Sequence, residues 1–330
     1  MKCIKILIWI LFSGVIFSSC LLINSARSIQ VEIMKPGMFT IPDSIRSIGI
    51  INRISSSYDT IPFEYIRSGK IITDPTVKYS DLSANSVKAL EEFLKEESYF
   101  TQVRNFNDSI NSSIQAGKPL NSQQELFQIS NSDMLVVLND CKFELTSVNL
   151  DADVLVTTAT LHWIIGNKGD TVSYLYSQAD TLIYDADPRF DFCKNEQNAL
   201  VSSATYLGRN FGTKVIPNWL KVERMYYRSD NPEMIKAEKL ALKSDWLKAA
   251  EIWNKMTKNK NKNISAKASF NMAVACEMEG KIEAAIDWLV QSYTILSGIN
   301  GEHQQNCKRY IDILALRKKE IEKLAVQFRN

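Results

Sequence analysis

The spacing of apolar positions changes character several times along the chain. An almost wholly apolar block runs from Ile6 to Phe17, with Lys2 and Lys5 the only charges before Arg27. Residues 21–45 keep no period and contain Pro36, Gly37 and Pro42, which predicts an irregular tether over 20–45. The run "RSIGIIN" (46–52) predicts a buried strand, and residues 53–80, rich in Ser, Tyr and Thr, predict a loop. Val87, Leu90, Phe93 and Leu94 fall at helical spacing within 83–100, with Ser83 or Asn85 as cap. A short strand is expected near Gln102–Val103. Ser122 and Glu125 open a short helix over 121–130 with capping-box spacing. "DMLVVLND" (133–140) predicts a central strand, and 153–165 and 171–184 predict a hairpin around "GNKGD". Residues 195–215 return to a helical period and 219–227 to a strand. This order predicts a mixed α/β domain over 46–228, and after Pro232 an all-α domain over 229–330.

The helical part repeats itself. "AEKLALKSDWLKAAEIWNKM" (237–256) and "NMAVACEMEGKIEAAIDWLVQSY" (271–293) align so that Ala237 answers Ala273, Ala249 answers Ala285 and Trp253 answers Leu289. Small residues at fixed places let paired helices approach closely. The second unit resembles a tetratricopeptide repeat: Met272–Ala273 supply the large-then-small pair, Gly280 the turn and Ala285 the helix contact. Ser244 and Lys236 depart from that pattern in the first unit. The resemblance implies a partner-binding groove lined by Lys267, Phe270, Val274, Glu277 and Met278. A last helix over 304–328, with Lys308, Arg317, Lys318, Lys319 and Lys323 outward, is expected to cap the stack. Two repeats and a cap are fewer than a free-standing array needs, so the helices are expected to dock on the α/β domain.

The N-terminus has the three parts of a secretory signal: positive start, short apolar stretch and small residues before a cut. Ser18–Ser19–Cys20 also resembles a bacterial lipobox, although Phe17 departs from the usual Leu. The resemblance implies a signal peptide over 1–19 and a lipid on Cys20, in a form associated with Bacteroidota; multiple acyl chains anchor stably where one does so marginally. Leu21–Leu22–Ile23–Asn24 carries no acidic cluster of the kind that resembles a surface-export signal in Bacteroidota lipoproteins, so the resemblance implies an anchor facing the periplasm, expected on the outer membrane. Losing residues 1–19 removes two lysines and no acid, so the net charge falls from +2 to zero. A neutral chain has no general electrostatic pull on nucleic acid.

Two wider resemblances follow from these segments. The strand–helix–hairpin order after "SIRSIGIIN" resembles the envelope-assembly module of the TolB N-terminal, CsgG and LpoB group. The first strand "IRSIGIINR", the strand "SDMLVVL" and "IPNWLKVERMYY" together resemble a Bacteroidota lipoprotein family of unknown function, DUF6340. Asp–Ser/Thr–aliphatic triplets resemble a Bacteroidota O-glycosylation sequon, which implies modification at Ser44, Thr60 and Ser109.

Candidate chemistry is sparse. No phosphate-cradling Gly loop, G-x-S-x-G or H-E-x-x-H occurs, and His162 and His303 have no motif partner. Asp185, Asp187 and Glu196 sit at EF-hand spacing, but Arg189 and Phe190 occupy a ligand position and the obligatory Gly position, which argues against calcium. Cys141, Cys193, Cys276 and Cys307 have no zinc spacing and are expected to be free thiols, with Cys276–Cys307 the pair that could bridge. No cofactor or metal is expected. The sequence points to a non-catalytic, lipid-anchored envelope protein that binds protein partners, or alternatively to an oligomeric assembly or pore component built on the α/β domain.

Overall fold

A computed structural model describes residues 26–54, 59–60, 62–106, 123–149, 153–170, 173–187, 189 and 191–328. The signal, Cys20, the Ser122 cap and Ser109 lie outside the described residues. An α/β domain is followed by a C-terminal helical region, and the chain divides into two compact units whose boundaries differ from the expected ones.

The first unit contains Pro36–Asn218 and ends with Val326–Asn330. Its sheet is built on β6 (Met134–Asn149), which extends well past the apolar run that predicted it. One edge of β6 is shared in parallel by β2 (Ser47–Asn52) at one end and β3 (Phe63–Arg67) at the other. β5 (Gln102–Asn105) continues beyond β2, and β4 (Lys70–Asp74) beyond β3. The other edge of β6 runs antiparallel to β7 (Asp153–Asn167), which pairs with β8 (Tyr174–Asp185). The β3–β4 hairpin falls in the segment expected to be a loop. Its turn is Ser68–Gly69, both at positive φ, the conformation that tight two-residue hairpins require.

Helices α1 (Tyr79–Glu96) and α3 (Phe192–Val215) cover one face of this sheet. Their apolar stripes meet Ile48, Ile50, Val136, Leu138, Leu161 and Trp163 in one core, and the Trp163 ring stacks on Phe211 at 4.3 Å. α1 begins four residues before the expected cap. Its first turn is held by Asp59, which accepts from the Ser80 N–H and hydroxyl, while Ser83 lies inside and bonds Asn52. The helix α2 (Gln123–Ser130) covers part of the opposite face, placing Leu126 and Phe127 on Ile51, Leu135 and Val137.

The second unit contains Trp219–Ala325 together with the first described strand, β1 (Ala26–Lys35). β1 pairs with β9 (Asn218–Tyr227) as a two-stranded ribbon. The tether reading therefore fails over Ala26–Lys35, and β9 belongs with the helices rather than with the α/β domain. The physical reason is the alternation of Ile29, Val31 and Ile33, which buries one face of β1. Five helices follow: α4 (Pro232–Ala241), α5 (Trp246–Met256), α6 (Lys262–Met278), α7 (Ile282–Ile295) and α8 (Gly301–Gln327). Asn231, Asp245 and Asn261 cap α4, α5 and α6 through their side chains.

The internal repeat is visible in the backbone. Ala237, Ala249 and Trp253 are buried, as are Ala273, Ala285 and Leu289. The two hairpin turns also match bond for bond. Asp245 N–H donates to the Leu240 carbonyl and Ser244 N–H to Ala241, just as Lys281 donates to Cys276 and Gly280 to Glu277. Ser244, at φ 61°, holds the left-handed position that Gly280 holds at 71°. A side chain in that region is strained where glycine is not. Ser244→Gly is expected to raise the stability of this unit by about 0.5–1 kcal/mol, read as an increased urea midpoint.

Candidate partner-binding surface

The expected groove is filled by the chain itself. Phe270, Val274 and Glu277 on α6 are buried, and α6 packs against the β1–β9 ribbon and α8. Lys267 and Met278 are half-buried: the Lys267 ammonium lies 5.9 Å from the Tyr227 ring centre, and Met278 packs against the same core. This corrects the reading of these five residues as an open groove. A repeat pattern tells which helix face is concave; it does not tell what occupies the concavity.

The ribbon docks on α6 through polar anchors. The Tyr227 N–H donates to Asn271 Oδ1 and the Asn271 amide donates to the Tyr227 carbonyl, both at 2.7 Å, so a side chain completes the backbone bonds of a strand end. Arg224 on β9 forks onto Glu277, with Nε to Oε2 at 2.8 Å and Nη2 to Oε1 at 2.7 Å. The Tyr310 hydroxyl from α8 donates to the same carboxylate at 2.6 Å. Burial, and then the Glu277 charge, push the Tyr310 phenol well above its ordinary range. At its far end, the Met34 carbonyl of β1 accepts from Arg317, and Lys35 pairs with Glu320, both of α8.

A second buried polar cluster lies between α7 and α8. His303, just before the start expected for the last helix, is within α8, with Nε2 2.9 Å from the Ser292 hydroxyl and 3.5 Å from Cys307 Sγ. Ser292 donates to the Ala266 carbonyl. Burial pushes the Cys307 thiol up to about 11, so it stays protonated and unreactive at neutral pH. Burial lowers the His303 pKa, and Lys267 lowers it further. The unfolded imidazole binds a proton near pH 6.5 while the folded one does not, so this stability is present above about 6.5 and is lost as pH falls through the folded value. The melting temperature is expected to drop between pH 7.5 and 5.5, and His303→Gln is expected to flatten that drop.

All four cysteines in the described residues are free, Cys276 and Cys307 included. Among the described residues no cluster of His, Cys, Asp or Glu could hold a metal ion. The three EF-hand positions scatter. Asp187 pairs with Arg189, and Glu196 turns inward to accept Arg67 and the Tyr65 hydroxyl. His162 stands exposed on β7, opposite Asp140 in register. Ser44 and Thr60 are exposed.

The open sheet face presents what the groove does not. Ile71, Ile66, Thr146, Val156 and Ile183 are direct register partners in turn, one on each of β4, β3, β6, β7 and β8. They lie on the face opposite α1 and α3. Ile71 is 73 % exposed, Ile66 45 % and Ile183 71 %. Glu144, Thr158 and Thr181 form the next row on β6, β7 and β8, a polar border to a row that is apolar except at Thr146. No single segment announces this row, because each strand contributes one residue to it. The alternation of "FEYIR" and "KIITD" around Ser-Gly was the available signal for its β3–β4 part.

Family models match both parts of the chain. One described as a domain of unknown function, DUF8603, matches residues 45–227, more than half the chain. The chain belongs to the DUF8603 family. A second domain of unknown function, DUF6340, matches residues 235–316. The expected DUF6340 resemblance is thus confined to the helices rather than spread over the whole length. No curated protein matches. Solved structures similar to the chain include a minor lipoprotein from Acinetobacter baumannii, 9% identical, covering 53% of this chain and 96% of that one, with a TM-score of 0.25. A dodecamer of a PelC point variant from Paraburkholderia phytofirmans is 10% identical over 58% and 100%, at 0.26. An uncharacterized protein is 13% identical over 51% and 91%, at 0.28. Likenesses at these scores decide neither fold nor function. Among the described residues no helix is long and apolar enough to cross a membrane.

Proposed function

We propose that this is a cell-envelope protein, lipid-anchored at Cys20 and facing the periplasm, whose role is to bind other proteins and not to catalyse a reaction. The observation that carries the binding role is the row Ile71, Ile66, Thr146, Val156 and Ile183, in which the three isoleucines are exposed, since exposed apolar side chains grouped on one face mark interaction surfaces. The tetratricopeptide-like helices serve this reading as a closed structural unit rather than as the groove. A photo-cross-linking residue at Ile71 or Ile183, placed in the full chain in its native envelope, is expected to capture a protein of different mass, whereas one at exposed Lys258 is not. No protein adduct at either row position would sink the reading.

A second reading is favoured by β8, whose outer edge pairs with no strand among the described residues. Such an edge can template pairing with another copy. In that case the Ile183 adduct has twice the mass of the chain.

A further inference from the structure

A cleft of about 590 Å³ lies within the helical unit, between β1, β9 and α8. Phe270 and Tyr310 form its buried floor, and Ile313 forms an exposed apolar wall. Three guanidiniums surround it: Arg27 from β1, Arg224 from β9 and Arg309 from α8. Arg224 is compensated by Glu277. Its guanidinium is held by Glu277 and by the Glu223 carbonyl. Neither Arg27 nor Arg309 has an acidic partner among the described residues. Glu223 is the one carboxylate in the lining, and it accepts from the Ser28 hydroxyl. The uncompensated balance is one positive charge beside an apolar wall.

The chain itself says which anion is near. Ala26, which lines the cleft, follows Cys20 by six residues, a reach of about 20 Å at full extension. A lipid on Cys20 would hold the cleft within that distance of a bilayer. Leu316, one turn beyond Ile313 on α8, is also exposed. We propose that this cleft seats the headgroup of an anionic phospholipid, with Arg27 and Arg309 on the phosphate and Ile313 and Leu316 against the first acyl carbons. The guanidinium fork suits a phosphate oxygen pair, and each cation near an anionic lipid adds to the affinity.

The proximity argument rests on the Cys20 anchor, but the test does not need it. Native mass spectrometry of the full chain in detergent doped with phosphatidylglycerol or phosphatidylcholine reads headgroup retention directly. Phosphatidylglycerol adducts are expected to dominate, and Arg27→Ala/Arg309→Ala is expected to weaken them about thirtyfold. Both side chains are exposed and unpaired, so the variant should keep the wild-type melting temperature. Equal retention of the two lipids, or a variant that keeps the preference, overturns the proposal. Displacement by glycerol phosphate alone, or by an acidic peptide, overturns the lipid assignment. Acyl labelling that survives Cys20→Ala would remove the anchor while leaving the adduct result intact.

Discussion

Glu277→Ala is expected to cost the helical unit about 3–5 kcal/mol, because it leaves the Arg224 guanidinium buried without its counter-charge. The side chain of Glu277 is 1 % exposed and that of Arg224 8 %, so water replaces the lost carboxylate poorly. The Tyr310 hydroxyl loses its acceptor in the same step. The loss should appear as a lowered denaturant midpoint and as amide exchange in α6, α8 and β9, with α1 and α3 unchanged. Replacing both charges by apolar side chains, Arg224→Met with Glu277→Leu, should recover most of the loss, since a buried pair and a packed apolar pair are often close in energy. A cost below about 1 kcal/mol for Glu277→Ala would show that the pair is wet, and would remove the case for a closed groove.

Gly208→Ala should be the most damaging single-methyl change in the α/β unit. A Cβ at position 208 would lie 1.9 Å from the Ser86 carbonyl oxygen of α1, a backbone atom that cannot swing aside. The two helices must separate, and overpacking of this kind costs about 1–3 kcal/mol, beyond the small gain in helix propensity. Gly212, one turn on, would place its Cβ 2.3 Å from the Phe93 ring, so the whole crossing is built on absent side chains. Exchange protection in α1 and α3 is the readout. Gly301→Ala is the matched control, because nothing lies within 4 Å of its Cβ position. If both changes behave alike, the crossing is looser than the described geometry requires.

What the sequence made legible was local. The hairpin of β7 and β8, the core strand β6 and the α6–α7 repeat each announce themselves within some thirty residues, because their period, turn residues and caps sit together. The misses share one cause: their meaning depends on distant chain. Ile29, Val31 and Ile33 alternate like any half-buried strand, but their partner is β9, so the segment read as tether. Phe270 and Glu277 sit where a repeat exposes its groove, and nothing near them shows that the ribbon fills it. The row on the open sheet takes one residue from each of five strands, so only its β3–β4 part, in the alternation around Ser68–Gly69, had a local signal.

The pairing of β1 with β9 also sets an order of events. Ser28 and Glu223, bonded across the ribbon, are 195 residues apart in sequence. The sheet unit is spelled out between them, so it can collapse on local contacts while β1 still waits. Contacts of such separation form slowly, and an unpaired strand edge is exposed meanwhile. A chain crossing a membrane N-terminus first would deliver β1 early and its partner late. In that case the ribbon closes only once β9 has followed, and β1 is an unpaired edge until then.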